Sequence, residues 1–433
     1  MSFLKVLGFD PAKHNVKTEI VAGITTFLTM AYILAVNPDI FSALEDMGMP
    51  KGAVFTATAL AAIVGTLVMS LYAKKPYALA PGLGLNAFFV YTVCLTMGYS
   101  WQFALTAVLI EGLIFIILTV TNVREAIINA IPKAMKSAVS AGIGLFIAFI
   151  GLVNAGIIVD DGGTIINLGT ITSGPALLAI VGLVITSVMM ILKVPGAMLI
   201  GIIVTAIIGI PFGITKFDGV VSSVPSVAPI FCKFEFHNIL SWDMIIVVFT
   251  FLFIDMFDTI GTVIGVSKKA NAMNPDGTIP GVKKVLMADA VATVWGAICG
   301  TSTTTTYVES ASGVAEGGRT GLTSFTVAIC FAIALFFAPV FLAIPSAATA
   351  PALILVGVMM MSSILDVDFN DFSECIPAYI CMIVMPLAYS ISDGIMLGMI
   401  SFVVLNALTG KFKKISVMMW ILAVLFILRY ILL

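Results

Sequence analysis

P-Y-A-L-A-P-G-L-G-L-N-A-F-F-V-Y, residues 76–91, reads as a membrane span with a break in its middle. Pro81, Gly82 and Gly84 stand where a lipid-facing helix would carry Leu or Ile, and both residue types disfavour a helix interior. A second break lies at G-T-S-T-T-T-T-Y-V-E-S-A-S-G, residues 300–313. Five threonines fall within six residues there, and β-branched side chains suit an extended segment better than a helix start. Helix is expected to resume from about Leu85 and about Tyr307. A kink in a packed span is the plain alternative for either stretch. Two breaks in corresponding places weigh against it.

The rest of the chain explains why such breaks are tolerated. Of 433 residues, 60% are hydrophobic and 10% charged, whereas a soluble domain carries roughly 25% charged residues. Its outside must therefore face lipid. Apolar runs predict spans near 19–37, 52–72, 77–97, 101–120, 134–154, 174–193 and 195–212. A second set falls near 243–266, 284–300, 303–317, 320–343, 349–363, 375–390 and 393–410. The fold class is thus an all-α polytopic membrane protein of fourteen helices, seven plus seven. Hydropathy does not decide whether 415–432 is a further span or an interfacial helix.

Basic residues give the orientation. With residues 1–18 cytoplasmic, inner loops hold Lys74 and Lys75; Arg124, Lys133 and Lys136; Lys193; Lys268, Lys269, Lys283 and Lys284; Arg319; and Lys411, Lys413 and Lys414. Outer loops hold Asp39, Glu45 and Asp46, and Asp160 and Asp161. The acidic 364–374 loop is the exception. No removable signal peptide is expected, which points to a multi-pass protein of the cell membrane. A-I-P-K-A-M-K-S-A (130–138) is echoed by A-I-P-S-A-A-T-A-P (343–351), and 194–203 by 391–400. An odd number of spans per half makes the repeats inverted, a transporter architecture.

Irregular backbone at membrane depth persists only where protein buries it or where it lines a cavity. Half-helices starting there would aim free N–H groups at the bilayer centre. Five carboxylates stand out within spans: Glu111, Asp255, Asp258, Asp289 and Glu309. Such groups are costly in lipid and usually functional. Asp255 and Asp258, at i and i+3, share a helical face; Glu309 falls in the first turn after the threonine run. Their structural alternatives are a pair satisfied by Thr hydroxyls, and a helix cap. Glu111 and Asp289 read as residues that tie helices together. Asn86 matches Glu309 in the other half, and its amide both donates and accepts. With Phe88, Phe89, Phe253, Phe257 and Tyr307 nearby, this inventory fits a planar, neutral, hydrogen-bonding ring.

Other classes fit poorly. The six cysteines have neither disulfide nor metal spacing, and His14 and His237 lie outside the spans. No span offers a nucleophile–base pair, so the chain is not read as an enzyme. A net charge of −2 argues against nucleic acid. No cofactor is expected.

At these residues the chain resembles the nucleobase–cation symporter superfamily, specifically the AzgA-like purine permeases. The motifs are G-L-G-L-N-A-F-F (82–89), F-I-D-M-F-D-T-I-G-T (253–262) and the long run 300–323, and the resemblance extends from 23–38 to about Gly410. It implies a uracil-permease-like fold, with a core from helices 1–4 and 8–11 and a gate from helices 5–7 and 12–14. It further implies a short strand in each of helices 3 and 10, pairing at the substrate site. The chain then divides into a cytoplasmic segment 1–18, core 19–120, gate 121–212, an extracellular loop 213–242, core 243–343, gate 344–410 and a C-terminal segment 411–433. Implied substrate residues are Gly84, Asn86, Asp255, Asp258, Thr306 and Glu309. The Asp-Met-Phe-Asp form favours purines over uracil, and the threonine run favours hypoxanthine and guanine over adenine. A homodimer follows by analogy.

The expected mechanism is proton symport with alternating access, with Na+ the other coupling ion. A carboxylate removed from water holds its proton more readily, which makes Glu309 or Asp255 the carrier. Gly142, Gly144 and Gly357 would let helices slide closely. A SulP-like anion exchanger shares the architecture, but its ligand would be repelled by Asp255, Asp258 and Glu309.

Overall fold

The computed structural model describes residues 2–121, 132–217, 219–237, 239–270, 272 and 279–432; for Ser2, Phe3, Phe257, Lys268 and Leu432 it describes the backbone alone. Arg124 lies outside the described residues, as do the side chains of Phe257 and Lys268. Nine helical stretches among the described residues are long and apolar enough to cross a membrane, and four shorter apolar helices accompany them. That makes a multi-pass helical membrane protein.

The first stretch starts at Asn15, whose side chain accepts hydrogen bonds from Lys17 N and Thr18 N, a capping role suited to asparagine. It is helical over Val16–Met30, breaks at Ala31–Tyr32, and resumes over Ile33–Phe41. Both sequence-expected breaks are present. Leu79–Pro81 and Thr304–Thr306 are strands, paired antiparallel with Ala80 opposite Thr305 at the centre. One further hydrogen bond extends the ladder at each end: Gly82 N–H to Thr303 O (3.0 Å) and Tyr307 N–H to Ala78 O (2.9 Å). This places a local two-fold relation through Ala80 and Thr305. It also revises the matching of the halves. Three residues past the strand lies Gly84 in one half and Glu309 in the other, so Gly84, not Asn86, corresponds to Glu309.

Each strand is tied to the helix before it. Leu79 N–H donates to Thr66 Oγ1 (2.9 Å), Thr66 Oγ1 donates to Leu79 O (3.1 Å), and Thr293 Oγ1 donates to Thr304 O (3.1 Å). Backbone groups exposed by the breaks are thereby satisfied inside protein, as lipid requires. Helix resumes at Leu83 and at Ser310, two residues earlier and three later than expected.

The Lys133–Asn154 and Ser346–Met361 helices, which follow Pro132 and Pro345 of the echoed segments, cross closely. A Cβ added to Gly357 would lie 2.4 Å from Gly144 O. One feature escaped the sequence reading, and one question it left open is answered. Ile158–Asp161 and Ile165–Leu168 form a hairpin, whose turn is closed by Asp161 accepting from Thr164 Oγ1 (2.8 Å) and Gly163 N (3.2 Å). The Val417–Leu432 helix runs upright, antiparallel to Ile391–Leu408. Lys414 Nζ meets Asp371 Oδ2 (2.6 Å) at its start, and Arg429 Nη1 meets Asp393 Oδ1 (3.2 Å) near its end.

Candidate functional site

Where the strands end and the helices resume, they border a cavity of about 410 Å³, within the size range of small-molecule sites. Gly82 and Gly84 line it from the first break, and Thr306, Tyr307 and Glu309 from the second. Asp258 enters from the Trp242–Lys269 helix. Ser140, Ser362 and Ser363 continue the lining toward the end where Lys133 Nζ meets Asp366 Oδ1 (2.6 Å).

Glu309 stands just before the Ser310–Ala315 helix, but its side chain makes no cap hydrogen bond. It turns to the first span instead, where Tyr32 Oη donates to Glu309 Oε1 at 2.6 Å. The capping alternative is therefore not the role observed. Tyr32 itself lines the cavity and is 2% exposed. Sequence reasoning missed it; the only signal was a tyrosine in mid-span, whose hydroxyl needs a partner once buried.

The remaining expected site residues divide. Gly84 lines the cavity, and a Cβ there would meet Ile143 Cγ2 at 2.7 Å. Thr306 lines it too, but its hydroxyl donates to Asp289 Oδ1 (3.0 Å), as does its N–H (2.9 Å). Asp255 is fully buried outside the lining. Thr259 Oγ1 lies 3.0 Å from Asp255 Oδ1, 2.9 Å from Asp289 Oδ2 and 2.7 Å from Thr305 Oγ1. Asp255 and Asp258 thus do different work despite their spacing. Asn86 is also outside the lining; its Oδ1 accepts from Ser302 Oγ, joining the two breaks. Thr303 Oγ1 donates to Glu111 Oε2 (2.6 Å), so Glu111 and Asp289 are the helix ties the sequence indicated. Of the expected phenylalanines whose side chains are described, Phe88, Phe89 and Phe253 are not part of the cavity lining. Phe88 packs on Phe251 and Phe89 on Phe41, with centroids 4.8 and 5.1 Å apart, and Phe253 packs on Phe249. Among the described residues, the aromatic rings lining it are Tyr32 and Tyr307.

The sequence profile of the Permease family, that of xanthine and uracil permeases, matches residues 17–397. The chain belongs to that family. It is a membrane transporter, not an enzyme. The permease is 49% identical over 428 residues to a putative permease of Methanocaldococcus jannaschii, covering 99% of this chain and 98% of the relative. It is 46% identical over 433 residues to the guanine/hypoxanthine permease PbuG of Bacillus subtilis, covering 98% of each. It is 40% identical over 418 residues to the adenine permease AdeQ of Escherichia coli, covering 96% of this chain and 94% of the relative. Among solved structures, the transmembrane domain of the cyanobacterial bicarbonate transporter BicA aligns with a TM-score of 0.65 at 16% identity, over 89% of this chain and 97% of that one. The murine anion transporter Slc26a9, inward-facing, aligns at 0.68 and 12% identity, over 95% and 70%. At such identities the likeness is one of fold alone.

The permease's cavity has a definite chemical bias. Its charged lining residues, among those described, are two carboxylates, Asp258 and Glu309. It offers acceptors and hydroxyls, a setting that suits ligands bearing N–H donors and opposes anions.

Proposed function

We propose that this permease imports purine nucleobases, hypoxanthine and guanine ahead of adenine, by proton symport. The observation that carries the reading is the pairing of Asp258 and Glu309 in one cavity at the meeting of the two broken helices. Relatives named as guanine/hypoxanthine and adenine permeases support the substrate class. Ring N–H groups would donate to the carboxylates, and Tyr32 and Tyr307 would flank the ring.

In this reading fourteen spans form two inverted repeats, the N-terminus is cytoplasmic, and the first and second spans with the broken helices belong to a core. The Lys133–Asn154 and Ser346–Met361 helices belong to the gate. Glu309 takes the proton, since its carboxylate lines the cavity, whereas Asp255 lies behind the strands. Alternating access moves core against gate around the cavity.

Uptake of radiolabelled hypoxanthine into proteoliposomes, with and without a protonophore, tests this. Glu309→Gln should reach the membrane yet fail to accumulate hypoxanthine. A variant that concentrates it with unchanged pH dependence would refute the proton role. Sulfate or bicarbonate uptake without purine uptake would favour the anion-exchange reading, which rests on the fold likeness alone and is opposed by the acidic lining.

A further inference from the structure

The first span holds Glu309 through a run of matched contacts. Tyr32 Oη reaches Glu309 Oε1 (2.6 Å), and Thr29 Oγ1 lies 2.9 Å from Ser312 Oγ, which in turn donates to Glu309 O (2.6 Å). Further along, a Cβ on Gly313 would meet Ala22 O at 2.3 Å, so the helices touch backbone to backbone. Tyr32 sits in the break of that span, where its ring enters the cavity. Glu309 joins none of the ion pairs found among the described residues.

The residue type matters. Lysine or arginine would hold only an ionised carboxylate, because neither can accept a hydrogen bond. A phenol donates to a carboxylate and accepts from a carboxylic acid. Among the described residues, the other titratable groups at this end of the cavity are Asp258 and Tyr307, and the hydroxyl of Tyr307 donates to Pro81 O (2.6 Å).

We propose that Tyr32 is the positioning residue of Glu309, partnering it in both protonation states and setting the pH at which the carrier loads. The proton moves on and off Glu309 alone; Tyr32 keeps its own. The inference rests on the functional reading above for its transport consequences, but not for the Tyr32–Glu309 partnership.

Two measurements on purified protein separate these. In pH-difference infrared spectra, the carboxyl band lost in Glu309→Gln should shift in Tyr32→Phe and stay in place in Thr29→Ala, which loosens the same helix contact without touching the carboxylate. In proteoliposomes, Tyr32→Phe should raise the KM for hypoxanthine about ten-fold, the scale of one hydrogen bond to a charged group, and displace the pH of half-maximal uptake. Thr29→Ala should leave that pH unchanged. An unmoved band in Tyr32→Phe, or equal shifts in both variants, overturns the inference. A shifted band in a protein that carries no purine upholds the partnership and overturns the functional reading.

Discussion

Asp39 Oδ2 accepts a 2.6 Å hydrogen bond from Thr349 Oγ1, and its Oδ1 one of 2.7 Å from Ser346 Oγ. Asp39 belongs to the first span and both hydroxyls to the first turn of the Ser346–Met361 helix, at the opposite end from Ser362 and Ser363 of the cavity. Lys51 Nζ adds its charge at 3.7 Å. At the end of the Phe88–Thr96 helix, Tyr389 packs between Tyr91 and Phe149, with centroids 6.3 and 5.4 Å away. These contacts bind the proposed core to the proposed gate.

Asp39→Ala should therefore free that end. Each hydrogen bond to a charged group contributes about 1.5–3 kcal/mol, enough to shift a two-state balance well over ten-fold. In a background without native cysteines, Leu353→Cys should react several-fold faster with an impermeant maleimide from outside once Asp39→Ala is added. An unchanged rate would mean that Asp39 is no latch.

Gly144 and Gly357 make a sharper steric demand. The atom a Cβ on Gly357 would strike is Gly144 O, a backbone atom with no rotamer to yield. Gly357→Ala should cost about 1–3 kcal/mol of overpacking and suppress transport. Gly265, with no described atom within 4 Å of its Cβ position, is the control: Gly265→Ala should stabilise its helix by up to about 1 kcal/mol. Uptake and thermal melts in detergent would show both.

The two helix aspartates should separate kinetically. Asp258→Asn should raise the KM for hypoxanthine at least about ten-fold, the scale of one lost charge-assisted hydrogen bond. Asp255→Asn, outside the cavity lining, should lower the melting temperature and change the KM by less than about three-fold, below 1 kcal/mol. The reverse pattern would mean that the helix turns its other aspartate to the ligand.

The C-terminal helix yields a topological prediction. Held by Asp371 at its start and Asp393 near its end, it should place a C-terminal tag on the opposite side of the membrane from an N-terminal one. Protease protection of both tags in oriented vesicles reads this directly. Lys414, Ser373 and Lys411 hold the Asp371 carboxyl well below the usual carboxylate range. A depressed folded-state pKa gives a contribution that is full above the unfolded value and lost as pH falls through the folded one. Docking of this helix should therefore persist through mild acid, while Asp371→Asn loosens it at neutral and mildly acidic pH alike, seen as faster hydrogen exchange near residue 414.

Much of the site was legible because breaks at membrane depth leave a compositional trace. Pro81 with its glycines, and the threonine run, are poor helix formers in apolar surroundings, and both became strands. The register that aligns Gly84 with Glu309 was not legible, since three-residue strands carry little pattern. Spacing put Asp255 and Asp258 on one face but could not say which reaches the cavity, because packing sets helix rotation. Tyr32 gave no signal beyond its type. The apolar Val417–Leu432 helix, with Arg429 its one charged residue, suits a span and an interfacial helix equally by hydropathy; the polar contacts at its two ends stand it upright.

The decisive measurement is a structure of the purified permease with hypoxanthine bound. The ring should lie in the cavity between the two strand ends, its N–H groups within hydrogen-bond distance of Asp258 and Glu309. Hypoxanthine bound elsewhere, or touching neither carboxylate, would contradict the proposed site.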